Sequence, residues 1–225
     1  MKPLYYLAVD IGASSGRHML ATYNDGKMTL EEVYRFENGM DDDNGKKTWD
    51  TDRLFKEIIS GMIQCKKIGK VPVSMSIDTW AVDYVLLDDK DRRIGDAYGY
   101  RDSRTDNIEN EVYKIISEES LYKRTGIQKQ KFNTIYQLMA DKIKEPERLK
   151  NAKTFLMLPD YFQFLLTGLK ASEYTNATST QLVDPHTKQW DYELIDMLKL
   201  PRDIFGGLKA PGTVLGTLSK DIQSR

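Results

Sequence analysis

The sequence predicts an α/β fold whose mixed sheet begins with antiparallel strands and is flanked by helices, and three observations predict it. An apolar run, Tyr5-Tyr6-Leu7-Ala8-Val9, ends on Asp10, passes through a small-residue turn and returns as a second run over 17–23. Asn24-Asp25-Gly26 then leads into a third β-rich run, and Asp-Gly between two such runs is a strong hairpin signal. Apolar residues recur at helical spacing over 54–63 and again through most of the chain from Ile108 onward. A doubly wound nucleotide-binding unit would place a helix directly after the first strand, so three strands joined by tight turns point away from it.

Taken in order, the third strand is expected over 28–36. The segment 38–47 is polar and contains glycine, so an exposed loop is expected; its acidic run lacks the alternating spacing of a calcium loop. Asp50 or Thr51 caps a helix whose Leu54, Phe55, Ile58, Ile59, Met62 and Ile63 share one stripe, with Cys65 inert near its end. A short strand is expected over 71–77. The run 84–87 reaches a turn at 88–91, which predicts another strand pair there. Helices follow over 108–122, 135–143, 146–152 and 159–166, the last closed by Thr167-Gly168, and a short one over 192–198 precedes Pro201. No internal repeat or low-complexity tract interrupts them.

With 225 residues, 40% of them hydrophobic, the chain buries a core of one large domain or two small ones. Thirty-three basic and thirty-four acidic side chains give a formal charge of -1, so no bulk field draws in nucleic acid or an anionic membrane, and neither is an expected partner. A single cysteine, Cys65, makes no internal disulfide, and two histidines offer no cluster of soft metal ligands. The apolar run before Asp10 is too short for a secretory core and far short of the roughly 20 residues that span a bilayer. A cytoplasmic location is the expectation.

Two stretches carry candidate chemistry. Small residues at Gly12, Ala13, Ser14, Ser15 and Gly16 let backbone N–H groups approach an anion, with positive φ open to the glycines, hydroxyls at Ser14 and Ser15, and a charge at Arg17. Asp10 belongs beside a phosphate only if Mg²⁺ sits between them. A plain β-turn with a capping aspartate is the alternative, and the spacing matches neither common glycine-rich phosphate loop. In Asp78-Thr79-Trp80-Ala81-Val82-Asp83, carboxylates suit sugar hydroxyls and an indole suits the apolar face of a carbohydrate; a strand end with solvated carboxylates is the alternative. Arg101 and Arg104 read either as part of such a site or as surface ion-pair partners. His18 beside the turn and His186 in a loop receive no catalytic role.

These segments, together with Tyr100-Arg101-Asp102-Ser103-Arg104-Thr105, Met157-Leu158-Pro159-Asp160-Tyr161-Phe162, Leu166-Thr167-Gly168 and the hydroxyl-rich Glu173-Tyr174-Thr175-Asn176-Ala177-Thr178-Ser179-Thr180-Gln181-Leu182, resemble the FGGY carbohydrate kinases, in that family's order and over nearly the whole chain. Within the family the likeness is to the branch acting on L-rhamnulose. The resemblance implies a ribonuclease-H-like fold of the actin and sugar-kinase superfamily, and ATP with Mg²⁺ phosphorylating the sugar's 1-hydroxyl. It implies ATP-phosphate contacts from Gly12, Ala13, Ser14, Ser15, Gly16 and Arg17, a metal-associated Asp10, and sugar contacts from Thr79, Trp80, Ala81, Asp83 and Arg101.

Two departures stand out. Ala81 replaces the glycine usual in that branch, which leaves other ketoses, L-fuculose among them, as alternative substrates; a non-catalytic sugar-binding module and an actin-like assembly protein are the separate alternatives to a kinase. The family's base is an aspartate in a His-Asp-Thr-like motif shortly after a segment resembling Pro211-Gly212-Thr213-Val214-Leu215-Gly216, and no such motif occurs here. The expectation is that residues 1–225 form an N-terminal domain, that the base lies after Arg225, that a C-terminal domain is the missing partner, and that the chain alone has negligible kinase activity.

Overall fold

The structure is a computed structural model that describes residues 2–224. Its contacts divide it into two units, one running up to Asp41 and including Trp49–Trp80 and the segment from Leu218, the other comprising Asp42–Thr48 and Ala81–Thr217.

In the first unit, Leu4–Ile11 (β1) pairs antiparallel with Ser15–Asn24 (β2), and β2 with Lys27–Glu37 (β3). The strand Ser74–Thr79 lies parallel to β1 on its other side, giving the order β3, β2, β1, Ser74–Thr79. The mixed sheet with an antiparallel start is therefore as expected. Asp25 and Gly26 take φ of 48° and 76°, the left-handed pair that a two-residue hairpin needs to match strand twist. Alternation along β1 buries Leu7, Val9 and Ile11 on one face while Tyr6 and Ala8 stay exposed on the other.

Against the buried face packs Thr51–Lys67 (α1), begun by Asp50, whose carboxylate accepts the Arg53 N–H at 2.8 Å. Of the predicted stripe Leu54, Ile58 and Ile59 are buried and Phe55, Met62 and Ile63 half-buried, with Cys65 buried beyond them. Gly61 looks out of place inside a helix until its neighbour is named. A methyl there would collide with the imidazole of His18, which is wholly buried and whose Nε2 lies 3.1 Å from the Ile58 carbonyl. The strand expected over 71–77 is shifted: Val71 and Val73 are exposed, and pairing runs on to Thr79 because β1 offers a partner as far as Ile11.

In the second unit three expectations change. The segment 38–47 is not a plain loop: Asp41–Asp43 and Lys46–Trp49 form a hairpin turning on Asn44-Gly45, at φ 54° and 89°, and join Ala97–Tyr98 in a small sheet. Tyr84–Leu87 does not pair with the chain just past its turn, where a lone bridge joins Leu87 to Arg93. It pairs antiparallel with Thr154–Met157, because four consecutive buried apolar residues need cover on both faces. The helix expected over 108–122 is two, Ile108–Tyr113 and Glu118–Thr125, the second restarted by Ser117, whose hydroxyl accepts the Ser120 N–H at 3.2 Å. The apolar period survives the break, since Val112 and Leu121 both face the core.

The helix Thr134–Lys144 runs through the middle of this unit and is buried from Thr134 to Asp141. Around it gather Phe155, Trp190, Leu194 and Phe205. Leu158–Thr167 ends on Gly168 at φ 76°, the left-handed cap expected of Thr167-Gly168.

Candidate functional site

Asp10 sits near the carboxyl end of β1, where register fixes its neighbours. Arg17 stands opposite it on β2 and Asp78 beside it on the parallel strand. The Arg17 guanidinium donates to the Asp10 carboxylate at 2.9 Å, both groups about half exposed. The sequence places Arg17 toward an anion; here it neutralises Asp10, and the turn between them carries no net charge from this pair.

That turn is closed by Gly12 N–H donating to the Ser15 carbonyl at 2.8 Å. Neither Gly12 nor Gly16 adopts positive φ, contrary to the sequence expectation. Glycine is required at 16 for space: a Cβ there would enter the Phe36 ring, 2.7 Å from its Cε2. Asn38 staples the loop from outside, its N–H donating to the Ser14 carbonyl at 3.0 Å and its Nδ2 to the Gly12 carbonyl at 2.8 Å. Arg53 on α1 holds Asn38 in turn, donating to its Oδ1 at 3.0 Å and to the Glu37 carbonyl at 3.1 Å. The backbone is thereby fixed while the Ser14 and Ser15 hydroxyls have no partner among the described residues. A small-residue turn so braced, with free hydroxyl donors, can receive an anion.

The strand beside β1 ends in Thr79, whose hydroxyl donates to the Trp80 carbonyl at 2.8 Å. The Trp80 indole lies on Trp49 with ring centroids 3.8 Å apart and planes 31° from parallel. Among the described residues no group of three His, Cys, Asp or Glu side chains could hold a metal ion. Asp10 and Asp78 supply two neighbouring carboxylates, which suits a cation that keeps most of its water and takes its remaining ligands from phosphate.

In the second unit, Ala81 is exposed and Val82 takes φ 70°, a backbone conformation that costs a β-branched residue on the order of 1–3 kcal/mol. Asp83 is fully buried: one carboxylate oxygen accepts the Tyr100 N–H at 3.0 Å, the other the Gln137 Nε2–H at 2.9 Å, and its carbonyl accepts the Leu158 N–H at 3.1 Å. Arg101 is exposed, its guanidinium 5.5 Å from the Tyr100 ring centroid. Arg104 is no surface ion-pair residue. It is almost buried, paired with the buried Asp141, and lies 4.0 Å from the Tyr98 ring centroid. The Tyr84 hydroxyl also donates to Asp141, and Arg148 approaches it at 3.3 Å.

Four residues with structural consequences go unremarked in the sequence reading: Asn38, Arg53, Gln137 and the carboxyl of Asp160. Gln137 leaves a signal, a polar residue inside the buried stripe of a helix. Asp160 is 4% exposed; its Oδ1 accepts the Glu173 N–H at 3.1 Å while its Oδ2 has no partner among the described residues. Burial pushes its carboxyl up to about 7, the backbone N–H pulling the other way and the Glu173 charge adding to the rise. Burial lowers the His18 pKa, with the Ile58 carbonyl opposing. No helix among the described residues is long and apolar enough to cross a membrane.

The model of the N-terminal domain of the FGGY family of carbohydrate kinases matches residues 5–225. A rhamnulokinase of Halalkalibacterium halodurans is 54% identical over 96% of this chain and 46% of its own length. One of Bacillus subtilis is 41% identical over 97% of this chain and 44% of its own. The chain thus spans about half the length of the curated relatives it matches. Among solved structures, gluconate kinase from Lactobacillus acidophilus superposes with a TM-score of 0.87 at 20% identity, covering 99% of this chain and 45% of that one. Xylulose kinase from Rhodospirillum rubrum gives 0.87 at 18% identity over 99% and 46%. The chain has the fold of these sugar kinases, an α/β fold with a mixed sheet that begins with antiparallel strands, as expected.

Proposed function

Since the chain belongs to the FGGY family of carbohydrate kinases, we propose that it is the N-terminal half of an ATP-dependent kinase that phosphorylates the 1-hydroxyl of L-rhamnulose, yielding L-rhamnulose 1-phosphate and ADP. The observation that carries this reading is the 54% identity, over nearly the whole chain, to a protein named rhamnulokinase.

In this reading the braced turn of Gly12, Ala13, Ser14, Ser15 and Gly16 receives ATP phosphates through the two serine hydroxyls and through backbone N–H groups other than that of Gly12, which the Ser15 carbonyl holds. Arg17 keeps Asp10 oriented and neutral in sum, and would donate to phosphate once nucleotide is bound. Asp10, with Asp78 beside it, would hold Mg²⁺, which when bound neutralises phosphate charge. Thr79, Trp80 and Ala81, with the exposed Arg101, are the proposed sugar contacts. Asp83 braces the loops that carry Ala81 and Arg101, since its carboxylate oxygens accept from Gln137 and Tyr100. The base that takes the 1-hydroxyl proton is proposed to lie outside residues 1–225, so phosphoryl transfer rests here on positioning and charge, and a base adds roughly 10²–10⁴-fold. A cytoplasmic place fits the one cysteine, free and buried.

The test is ATP-dependent turnover by the full-length protein across L-rhamnulose, L-fuculose and D-xylulose. L-Rhamnulose is expected to lead in kcat/KM; a lead for another ketose overturns the sugar, and no turnover of any ketose overturns the kinase. The exposed Ala81 methyl favours a second reading, another ketose as substrate, and Ala81→Gly is expected to shift the panel if it does.

A further inference from the structure

Ala81 and Arg101 belong to different loops, and one side chain ties those loops together. Gln137, on the helix Thr134–Lys144, is 1% exposed. Its Nε2 lies 2.9 Å from Asp83 Oδ1, 3.2 Å from the Val82 carbonyl and 3.0 Å from the Phe132 carbonyl, while its Oε1 accepts Arg104 Nη2–H at 3.0 Å. Three acceptors on one side and a guanidinium on the other leave a single orientation for the amide, nitrogen toward the loop and oxygen toward Arg104.

The bonds form one line. Asp141 holds Arg104, Arg104 holds Gln137, Gln137 holds Asp83, and Asp83 holds the Tyr100 N–H next to Arg101. Gln137 also shares with Thr134, whose hydroxyl donates at 2.7 Å, the carbonyl of Val82, the strained residue next to Ala81. A valine at φ 70° persists only where its surroundings hold it, and these two donors hold it.

We infer that Gln137 is the positioning residue of the sugar site: it locks the strained 81–83 turn and, through Asp83, the 99–104 loop into one register, and so sets sugar affinity without touching the sugar. The role in affinity rests on the kinase reading above; the clamp itself does not. An amide is needed because it donates and accepts at once. Glutamate would set a carboxylate against Asp83, and methionine would keep the length and lose every bond.

The experiment compares Gln137→Met, Gln137→Glu and the exchanged pair Gln137→Glu with Asp83→Asn in the full-length protein. It reads amide hydrogen exchange at Tyr100 and the KM values for L-rhamnulose and ATP. In Gln137→Met, loss of a hydrogen bond to a charged group is expected to speed Tyr100 exchange and raise the sugar KM, each by roughly 10-fold or more, with the ATP KM and kcat little changed. Gln137→Glu is expected to be worse. The exchanged pair is expected to recover part of both effects, because it swaps the amide and the carboxylate between the two positions: the amide on the loop donates to the carboxylate on the helix and still accepts from Tyr100. The exchanged pair also keeps the test open if Gln137→Met fails to fold. Wild-type exchange at Tyr100 in Gln137→Met, or an exchanged pair no better than Gln137→Glu alone, overturns the clamp. Faster exchange with an unmoved sugar KM overturns the role in affinity. If wild-type protein turns over no ketose, the kinase reading fails by that result while Tyr100 exchange still decides the clamp.

Discussion

Replacing Asp160 by asparagine is expected to stabilise the protein at pH 8 and to destabilise it near pH 4. The carboxyl is buried on the first turn of Leu158–Thr167, with one oxygen on the Glu173 N–H and the other unpartnered among the described residues. Its folded pKa is raised from 3.8 to about 7. Between those values the native state keeps a proton that the unfolded chain has lost, so the group's full contribution is present below pH 3.8 and drains away as pH rises through 7. About three pH units at about 1.4 kcal/mol each give about 4 kcal/mol lost by pH 8. Asparagine has the same shape and accepts the same N–H, and has no proton to lose. Its amide N–H₂ would sit where the unpartnered oxygen is, at about 1–3 kcal/mol for an unmet donor. The balance is a gain of about 1–3 kcal/mol at pH 8 that changes sign as pH falls toward 4. Urea melts of Asp160→Asn and parent at half-unit steps from pH 5 to 8 measure it. Stability curves that run parallel across that range would refute the reasoning.

Three further outcomes follow from single contacts. The lowered pKa of His18 makes the native state the poorer proton binder, so its contribution is complete above the unfolded value of 6.5 and falls as pH drops below it; thermal melts from pH 7.5 to 5.5 should show a slope that His18→Gln flattens. Gly61→Ala, which in an open helix gains about 1 kcal/mol, should instead cost about 1–3 kcal/mol by pressing on His18, and should turn favourable in a His18→Ala background, read by urea midpoints. Asn38→Ala frees the Gly12 carbonyl from its staple and should weaken ATP binding by roughly 10-fold, as loss of one to two hydrogen bonds implies, with sugar binding unmoved; calorimetry giving equal ATP affinity would count against the phosphate turn.

What the sequence determined by itself is local in origin. Period-two alternation and an Asp-Gly turn specify the opening strands and their order, and place Asp10 near a strand end beside a small-residue turn. Caps specify where α1 begins, at Asp50, and where the helix Leu158–Thr167 stops, at Gly168. The Asn-Gly turn at 44–45 is equally legible but is masked by the polarity around it, since a short exposed hairpin has no apolar face to betray its period. Tertiary structure alone decided the rest. The partner of Tyr84–Leu87 comes from residues 154–157, and nothing in either run's own composition names the other. Asp83 and Asp160 look like surface carboxylates in a string of letters; burial makes the first a brace and shifts the titration of the second. Gly16 and Gly61 exist for rings that other segments bring against them. Turn chemistry acts between neighbours along the chain, whereas desolvation and close packing belong to whatever the fold carries in from afar.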